Sequence, residues 1–183
     1  NPFAGYINSP ESVDRGYLTR TEIQTLMDAP MKNATHELVR DLFVFSVFTG
    51  LAYSDVKNLT ADRLQTFFDG NLWIITRRKK TNTESNIRLL DVPKRIIEKY
   101  KGLARDGHVF PVPSNGSCNK ILKEIGRQCG FKVRLTYHVA SHSKFFYLLN
   151  ISELSILKNV TANDLETSYI LFLSQLCNIQ RTL

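Results

Sequence analysis

The residues best suited to chemistry fall in two places. Arg77-Arg78-Lys79-Lys80 opens a stretch, Arg77 to Arg105, that holds ten basic side chains and three acidic ones. That local excess equals the net charge of the whole chain, +7 across 183 residues. Positive charge gathered in one segment selects a polyanion, most often nucleic acid, although a lysine-rich solvated surface has the same composition. The second place is His138 and His142, four residues apart and so on one face of a helix. Such a pair could ligate zinc, but His138-Val139-Ala140-Ser141-His142 lacks the glutamate of an HExxH motif and no third ligand is evident, so no metal is expected. Cys118, Cys129 and Cys177 form an odd set with no CxxC pair. A disulfide framework is not expected, and a reducing, cytoplasmic setting is.

Elements to carry these residues follow from local signals. At 43% hydrophobic and 22% charged the chain can bury a core. The apolar stretch Leu42 to Leu51 contains polar residues and is too short to span a membrane. Residues 1 to 17, with Pro2, Gly5, Pro10 and Gly16, read as a linker, and residues 18 to 183 as the domain. Asn1 is no initiator methionine, so a fragment of a longer chain is expected. Thr19-Arg20-Thr21-Glu22 matches a capping box, with Leu18 and Ile23 as its staple. Thr35 is expected to cap a central helix that ends at Gly50, and Ser54-Asp55 to start a short one. Two strands, Leu64 to Phe68 and Leu72 to Thr76, are expected around a tight Asp69-Gly70 turn. A third strand at Ile87 to Leu90 precedes a helix from Pro93 to about Leu103. Ser117 is expected to cap a basic amphipathic helix ending at Gly130, and Thr136 to cap the helix of His138 and His142. The fold class is mainly α with a small three-stranded antiparallel sheet (α+β).

Four segments in this order resemble the tyrosine recombinase family, in particular the catalytic domain of conjugative-transposon integrases. Phe48-Thr49-Gly50-Leu51-Ala52-Tyr53-Ser54-Asp55-Val56 is similar to the family's TGLR-x-S-(D/E)-(V/I) segment. Arg78-Lys79-Lys80-Thr81, followed by Leu89-Leu90-Asp91-Val92-Pro93, is similar to the hairpin that carries the family's lysine. His108-Val109-Phe110-Pro111 is the third. Leu135-Thr136-Tyr137-His138-Val139-Ala140-Ser141-His142 is similar to the (T/S)-x-H-x-x-R-H box. The resemblance spans roughly Leu18 to His142, about two-thirds of the chain.

The resemblance implies site-specific DNA recombination and integration within a mobile genetic element. A tyrosine hydroxyl attacks a phosphodiester, leaving a 3′-phosphotyrosine and a free 5′-hydroxyl. No cofactor is implied, because the ester energy is kept in the covalent link. Two arginines would neutralise the phosphate, a lysine would protonate the leaving oxygen, and a histidine would assist proton movement. The partner implied is double-stranded DNA, with self-association on it; neither a membrane nor a small-molecule substrate is expected. Carried over, the lysine falls on Lys80 (or Lys79 in the alternative register) and the histidine on His138, with Arg77, Arg78 and Lys79 on DNA. The two arginine positions hold Ala52 and Ser141. No histidine or glycine follows His142, and Tyr169, about seven residues before the family's position, is the candidate nucleophile; packing beside Ile170, Leu171 and Phe172 is its other reading. Residues 143 to 183 diverge from the family but keep apolar residues at helical spacing. Two readings of function remain: an active recombinase domain, and a catalytically inactive DNA-binding relative.

Overall fold

Thr19 opens the first helix as its sequence requires. Its hydroxyl accepts the Glu22 N–H at 3.3 Å, and the Glu22 carboxylate accepts the Thr19 N–H at 2.8 Å. Leu18 and Ile23 close beneath this box, both buried. The helix, α1, runs Arg20–Asp28. It stops because Pro30 forces Ala29 into extended backbone, ψ 131°. In the computed structural model the described residues are 16–68, 70–77, 84–140 and 143.

Helix α2, Ala34–Thr49, is buried almost all round: Val39, Leu42, Phe43, Val44, Phe45 and Val47 all lie in the core. Its N-cap is Asn33, whose side chain accepts the His36 N–H at 2.9 Å. Thr35, expected in that role, lies inside the first turn. Asn33 has the extended backbone a cap needs, and asparagine ranks above threonine as a cap. Gly50 ends α2 in the left-handed region, φ 72°, donating to Ser46 O at 2.7 Å. Helix α3 follows at Tyr53–Lys57.

A 3₁₀ turn at Ala61–Arg63 leads into the sheet: β1 Leu64–Thr66, β2 Leu72–Arg77 and β3 Glu84–Arg88. The order is β1-β2-β3, antiparallel throughout, with Leu64 opposite Ile74, Trp73 opposite Arg88 and Arg77 opposite Glu84. The β1–β2 connection is longer than the tight turn expected. Phe67 N–H bonds Asn71 O, Gly70 N–H bonds Phe67 O, and Gly70 adopts φ 71°. A left-handed glycine as the last residue of a three-residue loop relieves the strand twist without a two-residue turn. Strand β3 lies three residues earlier than the expected start at Ile87, and Leu89 and Leu90 are outside it.

Helix α4, Asp91–Tyr100, carries Pro93 in its first turn and stops short of Leu103. Helix α5, Asn115–Gln128, starts at a Ser114 cap that accepts the Ser117 N–H at 3.2 Å. The cap therefore lies three residues before Ser117, which supplies the N–H instead. Helix α2 packs against α1, α3, α4 and α5, so it forms the centre of a mainly helical shell with the sheet at one side. Phe110 links the layers, its ring 4.9 Å from Phe45 and 6.3 Å from Tyr100, both edge-to-face.

One ionic cluster joins α2 to α4. Asp41, 6% exposed, accepts from Lys99 Nζ at 2.6 Å, Tyr100 Oη at 2.8 Å and Arg40 Nε at 2.9 Å. Lys99 also reaches Glu37 at 2.5 Å, while Arg40 donates to Met27 O and Ala29 O, carbonyls left open at the end of α1. Lys99 thus belongs to the fold, although the sequence counts it within the basic stretch.

Residues 137–140 are helical again, and Ser143 beyond them ties this region to the start of the domain. Its buried hydroxyl donates to Val139 O at 2.9 Å and accepts the Leu18 N–H at 3.0 Å. Ser143→Ala would leave the Leu18 N–H buried without that acceptor. A loss of about 1–2 kcal/mol in urea denaturation is expected; no change in the midpoint would mean water replaces the hydroxyl.

Candidate nucleic-acid interface

The floor of the site is a pair of tyrosines. Tyr53, the first residue of α3, and Tyr137, at the start of the last described helical turn, meet edge-to-face with ring centroids 5.4 Å apart at 81°. The Tyr53 hydroxyl donates to Pro113 O at 2.8 Å. The Tyr137 hydroxyl donates to Leu42 O at 3.1 Å and accepts from Ser46 Oγ at 3.1 Å, so it is bolted to the central helix. The Tyr137 N–H donates to Asn119 Oδ1 of α5 at 2.8 Å.

Each ring carries a site position beside it. Ala52, before Tyr53, is exposed at the N-cap of α3. Its N–H reaches Asp55 Oδ2 at 3.4 Å, the half of a capping box that alanine can make, since a methyl accepts nothing back. The turn that delivers Ala52 is fixed by Thr49, whose hydroxyl donates to Phe45 O and accepts the Leu51 N–H. His138, after Tyr137, is also exposed, while Val139 and Ala140 turn into the core. The first arginine position and the histidine of the last motif therefore flank one aromatic contact. The third motif packs alongside: Val109 N–H bonds Leu59 O and Ala61 N–H bonds Gly107 O, while Phe110 fills the core.

The hairpin β2–β3 presents the connection that carries the lysines. The backbone pairs of Arg77 with Glu84 mark its base. Arg78, Lys79 and Lys80 lie outside the described residues, as do Ser141, His142 and Tyr169. In the rest of the basic stretch, Arg88 at the end of β3 and Arg95, Lys101 and Arg105 beyond it are exposed. Lys94 and Lys101 make only open pairs with Asp91 at 3.8 Å and Glu98 at 3.3 Å. Such pairs hold little free energy and leave both lysines accessible to a polyanion. Among the described residues no three histidine, cysteine or acidic side chains stand together as a metal site.

Sequence reasoning missed the tyrosine pair, Asn119 and Ser143. Tyr137 is separated from Asn119 by 18 residues and from Leu42 by 95, and local pattern carries no trace of either contact.

Burial raises the pKa values of the groups around this contact. It lifts the Tyr137 phenol well above its ordinary value of 10.0, and desolvation, helped by the neighbouring Cys118, lifts Tyr53. The Cys118 thiol is pushed up to about 11. In α4, burial and then Asp41 lift Tyr100 in the same direction. For Lys99 burial pulls downward, but its hydrogen bonds to Asp41 and Glu37 outweigh that and hold it above the usual lysine value. Each group keeps its proton more firmly folded than unfolded. Their stabilisation is complete below about pH 9 and is lost as pH rises through the folded values. Denaturation midpoints should therefore fall as pH rises from about 9 to about 11, with Tyr137→Phe flattening the decline. A midpoint rising over that range would contradict the assignment.

No protein-family model matches the sequence, and no curated protein does. Solved structures do resemble the fold. The XerA recombinase aligns over 81% of this chain and 53% of its own, at TM-score 0.53 and 14% identity. The XerH site-specific recombinase, bound to its difH substrate before cleavage, aligns over 79% of this chain and 44% of its own, at 0.58 and 16%. The Tn1549 transposon integrase, residues 82–397 with circular-intermediate DNA, aligns over 75% of this chain and 53% of its own, at 0.52 and 16%. The chain thus spans about half the length of these proteins. No helix among the described residues is long and apolar enough to cross a membrane. With its central buried helix and three-stranded meander, this chain has a mainly α fold like that of these recombinases and the transposon integrase.

Proposed function

We propose that this chain is the strand-exchange domain of a site-specific DNA recombinase or integrase, acting on double-stranded DNA through a 3′-phosphotyrosine. The observation that supports the reading is the Tyr53–Tyr137 contact, which joins the two turns that carry the exposed Ala52 and His138. In this reading Arg77, Arg78 and Lys79 hold phosphates, Lys80 protonates the departing 5′-oxygen, His138 assists and Tyr169 attacks. The self-association that recombination on two duplexes needs would form on DNA. The DNA complexes of XerH and the Tn1549 integrase support DNA as the partner.

A duplex nicked near the cleavage position tests this, because loss of the short strand traps the covalent adduct. An adduct is expected with the parent chain and none with Tyr169→Phe. Ala52 favours a second reading, an inactive DNA-binding relative, since a methyl cannot neutralise a phosphate. Duplex binding with no adduct under any condition would establish that second reading.

Binding should weaken steeply with salt, because each phosphate contact releases counterions. Replacing Arg77, Arg78 and Lys79 together by alanine should flatten the slope of log K against log salt by up to about three. An unchanged slope would place the duplex elsewhere.

A further inference from the structure

We propose that Asn119 is a positioning residue for His138, holding the first turn of its helix from across the domain. The inference rests on reading His138 as a phosphate-facing group. The first N–H groups of a helix lack partners within it and are ordinarily met by a local cap. Thr136 stands where such a cap belongs, and its carbonyl accepts the Val139 N–H at 3.0 Å. A side-chain cap there would serve the second or third N–H; the first, that of Tyr137, goes to Asn119 Oδ1 at 2.8 Å, an acceptor delivered by α5. The carboxamide is oriented from its other end, because Asn119 Nδ2 donates to Asn115 Oδ1 at 3.0 Å, one turn earlier. Helix α5 is itself anchored by buried Cys118, Leu122 and Ile125.

The residue immediately before His138 is thus held at three points: its N–H by Asn119, its hydroxyl by Leu42 and Ser46, and its ring by Tyr53. The last two fix where Tyr137 is buried. The first holds the peptide that enters Tyr137, and with it the start of the helical turn on which His138 stands. Loss of the Asn119 oxygen should therefore misdirect the histidine while the core keeps its packing.

The test uses the whole chain with ¹³C-labelled histidine, the His138 signal being assigned from His138→Gln. In Asn119→Ala that signal should move towards the value of unstructured histidine, with the Trp73 indole signal unchanged. Asn119→Asp keeps the acceptor, the exposed Asn115 amide turning to donate to the second carboxylate oxygen, and should restore the parental His138 signal. Covalent capture on the nicked duplex should fall about tenfold or more in Asn119→Ala and recover in Asn119→Asp. An unmoved His138 signal in Asn119→Ala, or no recovery in Asn119→Asp, overturns the proposal. If Asn119→Ala fails to fold, Asn119→Asp against Asn119→Leu decides on the same signal. A parent chain that forms no adduct overturns the strand-exchange reading alone, because the signals of the free protein still judge Asn119.

Discussion

Asp41→Ala should destabilise the domain by about 3 kcal/mol, the largest loss expected from any single polar substitution here. Asp41 is the one acceptor shared by Lys99, Tyr100 and Arg40, at 2.6, 2.8 and 2.9 Å. Removing it leaves the Tyr100 hydroxyl buried and Arg40, 13% exposed, without its Nε partner. Breaking a buried ion pair from one side costs about 3–5 kcal/mol. The low end applies because the Lys99 side chain is 41% exposed and can turn to water. Arg40 also keeps Met27 O and Ala29 O. For a domain of this size the melting temperature should fall by roughly 6–12 °C. Asp91→Ala, which opens the exposed Lys94 pair, should change stability by no more than about 0.5 kcal/mol. Equal effects from the two variants would show that the α2–α4 cluster is not a buried network.

Ala52→Arg should raise the rate of covalent capture about a hundredfold. One charge-assisted donor at a transition-state oxygen contributes about 3 kcal/mol, and two orders of magnitude correspond to that energy. The position tolerates the change. Ala52 is exposed, and its φ of −73° and ψ of 165° are extended backbone that any side chain adopts. A guanidinium here would leave the chain one residue before Tyr53, whose ring meets that of Tyr137, the neighbour of His138. Ala52→Lys should give a smaller gain, because an ammonium lacks the planar fork that matches two phosphate oxygens. No gain from either variant, with duplex affinity unchanged, would remove Ala52 from the phosphate site.

How much of this was legible depends on how far each interaction reaches along the chain. The Thr19–Glu22 box spans three residues, so the start of α1 could be placed from sequence. The starts of α2 and α5 were each displaced because two good caps stand close together, Asn33 with Thr35 and Ser114 with Ser117. Backbone geometry chose the earlier one in both cases. The β1–β2 loop was misjudged because Asp69-Gly70 suits both a two-residue turn and the end of a three-residue loop. The glycine's left-handed φ is needed in either. In the site, Ala52 and His138 could be named from motifs, but what joins them could not. That junction runs through two tyrosines 84 positions apart by number and an asparagine on a third helix. Lys99 shows the opposite failure. It counted as surface charge in the sequence, and the fold turned it onto Asp41.

The central claim is that the hairpin bearing Arg77 to Lys80 and the turn bearing His138 face one phosphate group. Titrating a short duplex into isotope-labelled protein tests it most directly. The backbone signals of residues 77 to 80 and the His138 imidazole signal should shift together, saturate at one DNA concentration, and weaken in parallel as salt rises. Hairpin signals that saturate while His138 stays unmoved would contradict it.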